Sequence, residues 1–171
     1  LPSTGGMQMS SFRGAHRVAN ELAAVYLVSP VLNIDTAMGA AVAFPDQPFF
    51  NGRNFRVLEV GFTANTTTAA GTTVTIENLA GAAAGVDLIT TQAVPVLTGP
   101  DLTNGIEGAT VSTSRGGAST WSFTAAALDS EGVPRILSGQ QLTYQVVAHA
   151  GTGYGYFWVK LAPEINRDVD A

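Results

Sequence analysis

Within two stretches, residues 55–64 and 72–79, hydrophobic residues recur at alternate positions, and that period constrains the fold more than any other feature of the chain. In Thr72–Leu79, Val74 and Ile76 alternate with Thr73, Thr75 and Glu77. Such a pattern sends successive side chains to opposite faces of a half-buried strand. Phe55–Ala64 follows the same period, with Leu58, Val60 and Phe62 on one face and Glu59 opposite. The small polar stretch Asn65–Gly71 between them reads as a loop. Weaker strands are expected at Val86–Thr91 and Val94–Thr98, the second at an edge because Pro95 cannot donate to a ladder. Thr120–Ala125, with Trp121 and Phe123 on one face, Leu142–His149 and Tyr154–Leu161 complete the set. Gly99–Gly108, Ser112–Ser119 and Asp129–Arg135 are turn-rich connections.

No helical period is found after residue 28, so the count comes to about eight strands with no helices between them, an all-β antiparallel sandwich. Loops of uneven length favour a jelly roll or Greek key over an up-and-down barrel. No fixed-period repeat points to a propeller or solenoid. The division expected is an N-terminal arm over residues 1–30 and a β-sandwich over residues 31–171. Residues 1–14 are small, polar and rich in Gly and Ser, as in an extended segment. Residues 15–28 carry Val18, Leu22 and Val25 at helical spacing, and a short helix is the expectation there. The β-prone run Val25–Val28, ending at Ser29-Pro30, is the competing strand reading. Val31–Phe44 reads as extended segments, closed by a turn between Pro45 and Pro48.

Composition removes several functional classes. Charged residues make up 12% of the 171, and the 46% hydrophobic share is inflated by 25 alanines, which bury little surface. Eight basic residues against thirteen acidic ones give a net charge of −5. The positive charge of residues 1–58 is limited to Arg13, Arg17, Arg53 and Arg56, set against Glu21, Asp35 and Asp46. Such a distribution cannot neutralise a run of phosphates, which argues against nucleic acid as a partner. With no cysteine there are no disulfides and no thiolate metal sites. No apolar run approaches the roughly 18 residues of a membrane-spanning helix.

The catalytic inventory is thin, and no enzyme activity or cofactor is expected. Of the two histidines, His16 lies between Arg13 and Arg17 and reads as a solvated or interface residue. His149 ends a strand in phase with Thr143 and Gln145. Gly151–Gly155 is glycine-rich, yet it lies between strands without the helix N-terminus a phosphate needs, and reads as a hairpin turn. Asp129 and Glu131 share a turn, too few carboxylates for a firm calcium site. Asn65-Thr66-Thr67 is a formal glycosylation sequon. The last strand is different. Phe157, Val159 and Leu161 point one way, while Tyr154, Tyr156, Trp158 and Lys160 point the other. Three amphipathic aromatics on a second face have three readings: burial under the arm or a loop, an oligomer or docking interface, or a sugar-stacking platform of a carbohydrate-binding module.

Two segments carry a resemblance: "FRVLEVGFTANTTTAAGTTVTIENLA", followed by a long Gly/Thr loop region, and "LSGQQLTYQVVAHAGTGYGYFWVKLAPEI". In this layout residues 55–163 resemble the small jelly-roll decoration, or cement, proteins on the heads of tailed bacteriophages. The resemblance implies a virion protein on the outer capsid surface, a homo-oligomer of trimeric type, and the major capsid protein as partner. It also implies an arm that reaches the coat, with Met7, Phe12, Arg13, His16 and Arg17 as its contact residues. The alternative expectation is a carbohydrate-binding sandwich of tail-fibre type that uses Tyr154, Tyr156 and Trp158.

Overall fold

The structure, a computed structural model, describes residues 24–47, 52–79, 85–114 and 120–164. Ten strands lie in these segments: β1 (Val25–Val28), β2 (Leu32–Asn33), β3 (Val42–Ala43), β4 (Phe55–Ala64) and β5 (Thr72–Leu79), then β6 (Val86–Val94), β7 (Thr110–Ser112), β8 (Arg135–Ile136), β9 (Gln141–His149) and β10 (Tyr154–Pro163). They form two antiparallel sheets in an open, curled sandwich. The first sheet runs β1-β10-β4-β7, with β2 also on β10 and β8 also on β4, and the second runs β3-β9-β5-β6. The all-β class expected from the alternating period is therefore observed, and the only helical element among the described residues is a 3₁₀ turn at Ala125–Ala127.

The core is the space between the sheets. Val60, Phe62, Phe157 and Val159 enter it from the first sheet, and Val74, Ile76, Leu142, Tyr144 and Val146 from the second. Aromatic edges join the two layers. Phe157 lies 5.4 Å from Phe62 and 5.4 Å from Tyr144, and Tyr144 lies 4.9 Å from Phe44. Burial pushes the Tyr144 phenol above its usual pKa range. Trp121 is 2% exposed and closes one flank: its backbone N–H donates to Ser112 O on β7 and its indole Nε1 to Ala93 O on β6, at 2.9 and 2.8 Å.

Several sequence expectations are corrected. Val25–Val28 is a strand paired with β10, so the helix expected over residues 15–28 does not reach them; residues 15–23 lie outside the described residues. Tertiary pairing with the long β10 overrides the helical spacing of a single valine. In β4 a bulge at Leu58 pairs Lys160 with Glu59 and Leu161 with Val57. It shifts the phase, so Val57 rather than Leu58 joins Val60 and Phe62 in the core, and Leu58 is half-buried. A second bulge separates Ile76↔Ile89 from Val74↔Gln92, with Thr91 at φ 45°, and the first of the two expected strands runs on to Val94. The second, expected over Val94–Thr98, does not form: residues 95–98 pair with no strand, and Pro95 ends the ladder. Residues 120–124 do not form a strand; the segment lies across the sandwich flank, with Phe123 against the core. Conversely, β7 and β8 are short strands where the sequence shows only loops.

Two corrections concern the closing strands. Gly151–Gly155 is not a hairpin turn, because β9 belongs to the second sheet and β10 to the first. It is a corner at which the chain changes sheets, and its glycines allow the close approach: a Cβ on Gly155 would stand 2.2 Å from the Phe62 ring. His149 does not stay in phase with Thr143 and Gln145. The register shift between Thr73 and Val74 places it opposite Thr72, exposed at the end of the sheet.

Candidate docking face

The outer face of the first sheet carries the aromatic strip of β10. Residues directly opposite on neighbouring antiparallel strands share a face, so Tyr26, Lys160 and Glu59 form one row, and Val28, Trp158, Gly61 and Ser112 the next. A third row holds Tyr156, Thr63 and Thr110. Gly61 seats the tryptophan: a Cβ at that position would stand 2.3 Å from Trp158 Cζ2. The indole Nε1 donates to Thr63 Oγ1 at 3.0 Å, and the Thr63 and Thr110 hydroxyls are 2.8 Å apart. Tyr26 leans over Trp158 with ring centroids 6.0 Å apart, and Lys160 Nζ stands 6.0 Å from the Tyr26 ring centre. Beside them Glu59 accepts from Ser112 Oγ at 2.5 Å and from Ser114 Oγ.

The strip is graded. Trp158 is 9% exposed, Tyr156 is half-buried and Tyr154 is 47% exposed. Trp158 therefore lies within the chain's own surface, and the open part of the strip is the Tyr154 end. Tyr26, 57% exposed, adds a second open ring, one that the sequence pattern alone places in the arm. Around Tyr26 the edge of the sheet is apolar, with Val25, Val28 and Val31 all more than a third exposed. The capsid-contact candidates Met7, Phe12, Arg13, His16 and Arg17 lie outside the described residues.

The remaining polar candidates are held by their own loops. Asp129 Oδ1 accepts the N–H groups of Glu131 and Val133 at 2.8 and 3.0 Å, while Glu131 pairs with Arg56 at 2.7 Å. One carboxylate of the supposed calcium turn thus closes it, and the other ties it to Arg56 on β4. Among the described residues no group of three or more His, Asp or Glu could hold a metal ion. Asn65 is exposed, and Thr67 Oγ1 accepts the Gly99 N–H at 3.1 Å. Arg135 forms a two-pronged contact with Glu164, at 2.6 and 2.5 Å, which pushes the guanidinium pKa up. The turn-rich loop over residues 99–108 holds a tight hairpin closed by Asp101 and Ile106. Asp101 accepts the N–H groups of Thr103 and Asn104 and the Asn104 side chain, and Leu102 projects at its tip, 89% exposed. Compared with known protein families, curated proteins and solved structures, the chain matches none.

Proposed function

We propose that the chain is a structural virion protein built on a jelly roll, which binds the outer surface of an assembled bacteriophage capsid and braces neighbouring coat subunits. The observation that carries this reading is the strand order. Because β2 continues along β10 and β8 along β4, each sheet has four lanes, β1-β10-β4-β7 and β3-β9-β5-β6. Lanes that follow one another in sequence exchange sheets at nearly every step, with β5-β6 as the one hairpin kept within a sheet. That winding fits the paired Greek keys of a jelly roll, an architecture used by viral capsid and lectin domains.

A fold hosts many functions, so the surface matters as much. Polar groups in the described loops close turns, whereas large apolar groups stand open on both sheets and on the loops, with Leu102, Val96 and Tyr26 among the most exposed. A protein that acts by covering a lattice needs only that. It binds the assembled shell and not the free coat subunit, and so stabilises the shell by mass action. Homo-oligomer formation multiplies weak contacts into avidity, and the trimer is the state implied by the resemblance. In this reading Met7, Phe12, Arg13, His16 and Arg17 reach the coat protein, and the open Tyr154 end of the strip lies against a neighbouring subunit.

The test is co-sedimentation with virus-like particles of the phage that encodes the chain. The full chain is expected to pellet with expanded shells, and a chain lacking residues 1–23 to stay in the supernatant. Equal binding by both overturns the arm assignment, and no binding by either overturns the capsid role. Retention of the full chain on a polysaccharide column, abolished by Tyr154→Ala, would put the carbohydrate-binding alternative in its place.

A further inference from the structure

A sheet edge presents a row of backbone N–H and C=O groups, and folded proteins cover, charge or interrupt such rows. This sandwich has four edges. Those of β6 and β7 are covered by the segment around Trp121. Leu88 O accepts Thr124 N–H at 2.9 Å, Asp87 O accepts the Thr124 hydroxyl, and Ala93 O and Ser112 O accept the two Trp121 donors. The β3 edge is only two residues long. The β1 edge has no cover among the described residues, and at four residues it is longer than the apolar pair Val42–Ala43 of β3. Val25, Tyr26 and Val28 are 40, 57 and 42% exposed, while Leu27 turns into the core at 2%. No charged residue lies on β1, and Pro30 interrupts the segment only after the strand has ended.

We infer that β1 is a self-association edge, and that its occupant is β1 of a second copy of this chain, paired antiparallel about a two-fold axis at Leu27. Backbone chemistry identifies the occupant as a strand. Ser29 N–H donates to Phe157 O on β10, and alternation along a strand turns the N–H and C=O groups of Tyr26 and Val28 the other way, outward. Water meets these groups in the free chain, and another extended chain is the partner whose own groups repeat at the spacing needed to replace that water along the row.

Register identifies that strand as a copy of itself. With Leu27 opposite Leu27, Tyr26 of each copy stands opposite Val28 of the other. Those are the residues whose backbone groups point outward, so both Tyr26–Val28 steps close a hydrogen-bonded pair. Their side chains share the outer face and bury each other as an aromatic–β-branched pair. Each Leu27 stays in its own core. The chain carries a net charge of −5, yet no carboxylate stands on this edge to repel its mate. The contact is isologous and closes at two copies. It differs from the three-fold association implied by the resemblance, and it concerns how copies meet, not what they bind.

The experiment is sedimentation equilibrium of the full chain across a concentration range, with Val28→Lys and Tyr26→Lys beside it. A wild-type dimer that dissociates on dilution, and monomeric variants with unchanged circular dichroism, support the inference. A wild-type monomer at every concentration overturns it, as does a trimer or a dimer indifferent to both substitutions. Neither of those results touches the capsid reading, which stands or falls on co-sedimentation. Should a variant fail to fold, amide exchange on the wild type decides. Tyr26 and Val28 amides protected at high concentration and released on dilution support the pairing, and amides unprotected throughout overturn it.

Discussion

The two flanks of the sandwich meet the same physical demand in opposite ways. On the β6–β7 flank a single residue ties both sheets together, because Trp121 donates from its backbone to one sheet and from its indole to the other while it fills the gap between them. On the β1–β3 flank the chain crosses between the sheets over residues 34–41, and β1 has no outer neighbour among the described residues, with Tyr26 and Val28 facing out. The first flank is finished internally. The second offers an open strand edge, on which the proposed pairing of two copies would lie. In that reading stability and association belong to different sides of one small domain.

The comparison fails first at its strongest point if Trp121 is not a structural tie. Trp121→Ala removes a buried indole and orphans Ala93 O, and is expected to cost about 3–5 kcal/mol in denaturant unfolding. Tyr26→Ala, measured on the monomer, should fall within about 1 kcal/mol, since an exposed side chain has little packing to lose. Equal costs would erase the distinction between the flanks. The next largest effect lies between them. Gly61→Ala sets a methyl group 2.3 Å from the Trp158 ring, and displacing the indole breaks its bond to Thr63. A loss of about 1–3 kcal/mol is expected, with a red shift of tryptophan fluorescence as Trp158 meets water. An unshifted spectrum would mean that the ring is not seated on Gly61.

Legibility from sequence follows the same divide. Class and most of the long strands are readable because a two-residue period survives in Thr72–Leu79 and Tyr154–Leu161 without help from tertiary structure. Bulges at Leu58, Thr91 and Val147 are invisible to a periodic reading, since each inserts one residue and inverts the faces beyond it. Alternation places Trp121 in the core for the wrong reason, as a strand residue. Its backbone partner lies in β7 and its side-chain partner in β6, and no local pattern encodes that pairing. On the candidate face, Tyr154, Tyr156 and Trp158 can be found from their crowding on one side of β10. Tyr26 cannot, because it reaches that face only through the pairing of β1 with β10. Ser112, one of the partners of Glu59, lies 53 residues away, and the β4–β7 register brings them together.

Smaller effects belong to the ion pairs that hold the lower loops. Arg56 meets Glu131 with 32 and 69% of the two side chains exposed, and Arg135 meets Glu164 with 42 and 16% exposed. Water screens the first pair more, so Arg56→Ala should cost well under about 1 kcal/mol and Arg135→Ala about 1 kcal/mol. Raising the salt concentration should narrow the gap between the two variants, and thermal unfolding in low and high salt reads it directly. A gap that widens with salt would mean that packing of the arginine stems, not charge, holds the turn.

The smallest expected effect is an acid-side one, and it sits on loops that belong to neither flank. Asp101 is held below its ordinary value of 3.8 by the Asn104 side chain first, then by the N–H groups of Asn104 and Thr103. Asp129 is held down mainly by the Val133 N–H, with help from the Glu131 N–H, Arg56 and Arg135. A carboxyl that is more acidic folded than unfolded adds stability above its unfolded pKa, and that addition disappears as pH falls through the folded value. Both turns should therefore contribute in full at neutral pH and weaken below about 3.8. Melting temperatures taken through that window should fall less steeply for Asp101→Asn and Asp129→Asn than for the wild type, because neither variant has a proton to take up at that site. Equal slopes in all three would mean that both carboxylates remain solvated in the folded chain, and that the Leu102 hairpin owes its shape to Gly105, at φ +67°, rather than to Asp101.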